Sequence, residues 1–217
     1  MKKKILISIF IVACIGLFLG AGVYSLFQDV ETTTGNTFAA GTLDLQVGAT
    51  NPTTEKINFT TLKPGDTNAT AANWQMQNLG TVPGNLNIST SAITNNENTL
   101  LALETAAGDA GAAQGELGAN LNVSFWTDIT NNGWSTGDYY LKSDGTTVGW
   151  ASGATLPTAA YDRLDNFGGR SWNNVQTALG AGTIGYFKVA YDLPSATTNV
   201  IQSDSSVFNI TFTLTQT

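Results

Sequence analysis

The chain has 217 residues, with 9 basic and 16 acidic side chains, no histidine and a single cysteine. A net charge of −7 excludes the basic footprint of a nucleic-acid or anionic-lipid binder. Without histidine the usual ligands of catalytic zinc and the commonest general base are missing, and the lone Cys14 allows no internal disulfide.

Lys2, Lys3 and Lys4 precede a run, residues 5–18, that is apolar apart from Ser8. That is the layout of a secretory signal peptide. Residues 5–27 carry no charge and are numerous enough to span a bilayer, so an uncleaved anchor is the rival reading. Gly16, Gly20, Ala21 and Gly22 weaken a helix near its end and admit a peptidase. The small pairs Gly20 with Gly22 and Val23 with Ser25 offer cleavage points, and the expected cut follows Ser25. It removes three lysines, deepening the net charge to −10, and takes Cys14 with it. What is left is the length of one soluble, acidic domain.

Residues 26–37 begin with Leu26, Phe27, Gln28, Asp29, Val30 and Glu31 and continue into threonines. Few of them are apolar enough to bury, so an extended, detachable arm is predicted, with a fold-back edge strand as the bland alternative. Leu43, Leu45 and Val47 alternate with polar neighbours as in a half-buried strand, and Ile57, Phe59 and Thr61 suggest a second. Pro64 and Gly65 predict a tight turn. Trp74 with Met76, then Leu86 with Ile88, mark further strands in a sandwich pattern.

Residues 95–118 break that pattern: Leu100, Leu101 and Leu103 fit a short helix, followed by a loop of small residues. Leu121, Val123 and Phe125 resume the period of two. Tyr139, Tyr140 and Leu141, with Asp144-Gly145 and residues 148–150, read as a hairpin with a type I′ turn. Short helices are expected at residues 159–164 and 172–179. Phe187, Val189, Tyr191 and Leu193, and then Phe208, Ile210, Phe212 and Leu214, complete the strands. No internal repeat is visible.

Taken in order, Phe27-Gln28-Asp29, residues 37–45, residues 62–66, Asn78-Leu79-Gly80 and the ending from Gln202 through Phe212 to Gln216 resemble the TasA/camelysin family of secreted fibre-forming proteins. Residues 95–181 match least. The resemblance implies an all-β, jelly-roll-like β-sandwich with short helical insertions and an extended N-terminal arm. It divides the chain into a leader (1–25), a donor arm (26–37) and a sandwich (38–217). It also implies an extracellular, cell-surface or biofilm-matrix fibre in which the arm of one copy, through Leu26, Phe27 and Val30, completes the sheet of the next. The partner is then the chain itself, head to tail, with membrane contact only through the leader. A monomeric, anchored binding module or adhesin is the first rival.

Camelysin is described as a metallopeptidase, so the resemblance raises an enzyme reading as well. The missing histidine and the loss of Cys14 with the leader speak against it. Asp162 with Asp165 is the all-carboxylate pair that reading would need. Calcium is the better metal: Asp128, Thr130, Asn132, Gly133 and the Trp134 carbonyl fall at EF-hand positions 1, 3, 5, 6 and 7, with Asp138 at 11 where that loop expects glutamate at 12. An Asn/Gly-rich turn without metal explains the same residues. Sequons mark Asn58, Asn68, Asn87, Asn122 and Asn209 as acceptors for a glycosylating host. Trp126, Trp134, Trp150 and Trp172 offer a sugar platform, with core packing as the plainer role.

Overall fold

The computed structural model describes residues 10–11, 40–53, 57, 62–109, 111, 115–145, 148–151 and 153–216. The chain divides between Ala40 and Gly41. Of the first unit only Phe10, Ile11 and Ala40 are described, so the leader, its cleavage site and the arm residues Leu26, Phe27 and Val30 lie outside the described residues. Among the described residues no helix is long and apolar enough to cross a membrane.

Residues 41–217 form an all-β sandwich. The larger sheet takes strands β1 (Leu45–Val47), β2 (Thr67–Asn78), β10 (Ile184–Asp192), β5 (Asn122–Asp128), β6 (Tyr139–Leu141) and β7 (Val148–Trp150) in that order, and β8 (Asp162–Arg163) also pairs β5. The smaller sheet is β12 (Ile210–Gln216), β3 (Gly84–Thr90) and β9 (Ser171–Leu179), and a two-stranded ribbon joins β4 (Thr94–Asn96) to β11 (Ser205–Val207). All pairings are antiparallel. The alternating residues behave as expected: Trp74 and Met76, Leu86 and Ile88, Val123 and Phe125, and Phe187 and Val189 are all buried. Between the sheets their aromatic rings form a continuous layer, with Phe187 lying 5.8 Å from Trp74 and 5.0 Å from Phe212. Stacked and edge-to-face pairs of this kind add to the area term.

Three expectations need correction. Ile57 is half-buried against the core but belongs to no strand, and Phe59 and Thr61 lie outside the described residues. The hairpin turn is closed by the Gly145 amide on the Lys142 carbonyl (3.1 Å), and of Asp144-Gly145 only Gly145 takes a positive φ. A type I′ turn needs both residues there. Residues 159–164 give 3₁₀ turns around β8, whereas 172–179 is strand β9 and not a helix.

The last error has a definite cause. Trp172, Val175 and Leu179 are the buried residues of β9, spaced by three and four as on a helix. In the pairing, β3 advances from Ile88 to Leu86 to Gly84 while β9 advances from Trp172 to Gln176 to Leu179. The surplus residues bulge out, with Asn174 at φ 54° and Ala178 at φ 52°, a device that bends and twists a strand locally. Each bulge is held by β3: the Asn174 amide donates to Asn87 Oδ1 (2.8 Å) and the Ala178 amide to Asn85 Oδ1 (2.9 Å). Two bulges turn a period of two into a helical spacing.

Candidate functional site

Asn78, fully buried at the end of β2, ties three segments together. Its side-chain amide donates to the Val82 and Leu179 carbonyls (2.9 Å each), and its Oδ1 accepts the Gly80 amide (2.9 Å). The loop so shaped accepts the strand-entry segment: the Leu79 amide donates to the Asp44 carbonyl (2.7 Å), and the Thr81 amide to the Thr42 carbonyl (2.8 Å). The fit excludes side chains. A Cβ on Gly80 would stand 2.2 Å from the Thr42 carbonyl oxygen, and one on Gly41 2.0 Å from Val82 Cγ1. Asn78-Leu79-Gly80 and Gly41-Thr42 thus fix the chain where it enters the sandwich.

Away from this anchor, an apolar space opens between the two sheets. A cavity of about 560 Å³ lies between Trp74, Val123, Phe125 and Val189 of the larger sheet and Phe208, Ile210 and Phe212 at the start of β12. In the small sheet Phe212 stands opposite Ile88, and Leu214 opposite Leu86. Ile88 and Leu86 are 1% and 0% exposed, yet Phe212 and Leu214, on the same face one strand further out, are only half-buried. Among the described residues β12 pairs with β3 alone, leaving its outer edge without a partner strand. The site is an apolar groove bordered by an open strand edge, the arrangement into which an extended segment can add a strand.

The loop after β5 brings its residues together without needing an ion to do so. Asp128 is fully buried; its Oδ1 accepts the Thr130 (3.1 Å) and Asn132 (3.3 Å) amides, and its Oδ2 accepts the Gly133 amide (2.8 Å) and Lys188 Nζ (2.7 Å). Asp138 accepts the Ile129 and Ser135 amides and the Ser135 hydroxyl. Burial pushes the Asp128 carboxyl up, but the Lys188 ammonium and the loop amides outweigh it and hold the group below its ordinary value. Thr130 and Asn132 are exposed and Trp134 is buried against Trp126, whose ring lies under Lys188 Nζ at 5.1 Å. An ion ligated by Asp128 would have to displace the lysine.

Of the four tryptophans considered as a sugar platform, Trp126, Trp134 and Trp172 are buried and only Trp150 is exposed. Asp162 is held by Ser143 and Asn166 while Asp165 accepts Asn95 Nδ2 (2.8 Å), so the two carboxylates face different partners. Asn58 lies outside the described residues. Asn68 and Asn209 are exposed, Asn122 is half-buried, and the Asn87 amide group already serves the β9 bulge and Thr215.

An antiparallel β-sandwich with a rooted entry segment defines the class. The model of the camelysin metallo-endopeptidase family matches residues 1–217, so the chain belongs to the TasA/camelysin family. Comparison with curated proteins returned no match.

Proposed function

We propose that the protein is a secreted structural subunit whose arm, residues 26–37, is donated to the groove of a second copy, building head-to-tail fibres at the cell surface or in a biofilm matrix. The observation that carries this reading is the half-burial of Phe212 and Leu214 opposite fully buried Ile88 and Leu86. Among the described residues no strand pairs with the outer edge of β12. An extended arm of this length reaches roughly 40 Å, well beyond the seven residues of β12. Main-chain hydrogen bonds along the β12 edge supply affinity, and inward side chains such as Phe27 set the register. The Asn78 loop holds the chain at Thr42 and Asp44, shortly after the arm in sequence. Since arm and groove are different surfaces, every added copy presents a fresh one of each, and growth continues.

Deleting residues 26–37 is expected to abolish fibres in electron micrographs while leaving a folded monomer. Fibres formed without the arm would overturn the reading. Uniform monomers from the intact chain would favour an anchored binding module instead. Casein cleavage that a chelator stops would reinstate the peptidase that the family's name carries.

A further inference from the structure

Helix α1 (Ala102–Ala107) is built inside out. Leu101, just before it, and Leu103 are 40% and 57% exposed, while Glu104 is fully buried. A surface helix ordinarily turns its leucines inward and its glutamate to water. Glu104 points instead into a group of carboxylates from four segments: Glu97 after β4, Asp109 after α1, Glu116 ahead of α2 (Leu117–Asn120), and Asp204 just before β11.

Two overlapping triads share Glu97. Carboxylate oxygens of Glu97, Asp109 and Glu116 lie within 4.8 Å of one another, and so do those of Glu97, Glu104 and Asp204. In four of the five groups one oxygen is fixed by a donor from the protein. The Leu101 amide donates to Glu104, the Gly111 amide to Asp109, the Glu116 and Leu117 amides to Asp204, and the Ser203 hydroxyl to Glu97. The other oxygen of each, and one of Glu116, is buried with no amide, hydroxyl or cationic donor, and faces only further carboxyls, Glu97 beside Asp204 and Glu116 beside Asp109. Buried polar atoms are nearly always satisfied, so five orphans in one place demand an explanation. Burial, reinforced by the facing negative charges, pushes the Glu97, Glu116 and Asp204 carboxyls up. Among the described residues no lysine or arginine forms an ion pair with any of them. Gly115 is packed so closely that a Cβ would stand 2.8 Å from Asp204 Cγ, so the chain leaves no room there for more than a hydrogen.

We propose that these five carboxylates are a calcium-binding centre, with Glu97 common to both triads. Oxygen-only, anionic ligands select a hard cation, and the six to eight oxygens that calcium takes at flexible geometry suit clustered carboxylates better than the strict octahedron of magnesium. Zinc has none of its preferred nitrogen or sulfur ligands here. The bound ion would join the insertion around α1 and α2 to the chain entering β11.

The test is calcium titration of the purified chain by calorimetry and by thermal melting, each with a chelator control. Expected are micromolar binding and a melting midpoint raised by roughly 5–10 °C at calcium about a hundredfold above its dissociation constant. Glu97→Gln should weaken binding more than about 10-fold, since loss even of groups that merely support a metal's ligands costs 10–100-fold. The same variant, measured in chelator, should melt higher than the parent because one repelling charge is gone. Glu116→Gln should behave alike, and Thr130→Ala with Asn132→Ala, in the loop after β5, should change nothing. The proposal fails if millimolar calcium neither binds nor moves the midpoint, if magnesium or zinc at equal concentration moves it as far, if both glutamine variants bind like the parent, or if the loop variant is the one that loses binding.

Discussion

The buried pair of Lys188 and Asp128 makes a prediction whose ordering follows from geometry. Lys188 is 5% exposed and Asp128 0%, and they meet at 2.7 Å. Removing one member of a buried pair typically costs 3–5 kcal/mol, because the other is left charged and dry. The two removals are not equivalent here. In Lys188→Met the Asp128 carboxylate keeps three backbone amides. In Asp128→Asn the Lys188 ammonium keeps only the Trp126 face and an amide oxygen. Asp128→Asn should therefore be the worse, at about 3–5 kcal/mol, with Lys188→Met lower by about 1–2 kcal/mol. The double variant should recover part of the loss, with a coupling energy of about 2–3 kcal/mol.

For a domain of this size that places Asp128→Asn roughly 6–20 °C below the parent in melting midpoint. Denaturant unfolding followed by near-ultraviolet circular dichroism measures all four proteins. The pH dependence is a second check with a fixed sign. A carboxyl held below its ordinary value of 3.8 contributes its full stability above that value, and loses it as pH falls through the lower folded value. The gap between parent and Asp128→Asn should be constant at neutral pH and close only below about pH 4. A Lys188→Met protein less stable than Asp128→Asn, or a double variant no better than the worse single, would refute the account.

Two further substitutions test the fold's unusual points. Ala178→Gly should be neutral or stabilise by up to about 1 kcal/mol, because the left-handed backbone at φ 52° costs alanine more than glycine loses in chain freedom; a loss near 1 kcal/mol on thermal melting would show that the bulge is not strained. Asn78→Ala leaves the Val82 and Leu179 carbonyls and the Gly80 amide without their partner and should cost about 2–4 kcal/mol. It should also speed proteolysis near Thr42; unchanged stability and protection would mean that the entry segment is held elsewhere.

Alternation alone made most of the sandwich legible, since Trp74, Val123 and Phe187 are buried on strands whose pairing is regular at those residues. It failed at β9, because two left-handed residues held by Asn85 and Asn87 let buried side chains recur at three and four. The short ribbon of β4 and β11 was invisible for another reason: Thr94–Asn96 and Ser205–Val207 are small or polar and carry no period. The carboxylate centre spans Glu97 to Asp204 with no spacing motif. A signal did exist in the charges, however. Residues 97–116 hold four acidic side chains, and the sequence contains no lysine or arginine between Lys63 and Lys142. A local excess of negative charge without counter-charge, in a segment that must pack, asks for a cation.

The Asp128 loop and the Glu97 centre show why spacing is a weaker guide than orphaned atoms. At the loop the oxygens come in the order a calcium site uses, but backbone amides and Lys188 occupy the carboxylates, so the charge is already balanced from within. At the centre the order is unremarkable and the balance is missing. The same reasoning applies to the groove. Phe212 and Leu214 are not conspicuous in sequence, and what marks them is that their cross-strand partners are buried while they are not. In each place the indication of a partner is a physical deficit: a charge without a counter-charge, or an apolar face without a cover. Asp204 borders both, lying in the lining of the groove and in the carboxylate centre. An ion that fixes Asp204 therefore also fixes one wall of the cleft that the arm is proposed to enter, so calcium loading and acceptance of the arm are expected to reinforce each other.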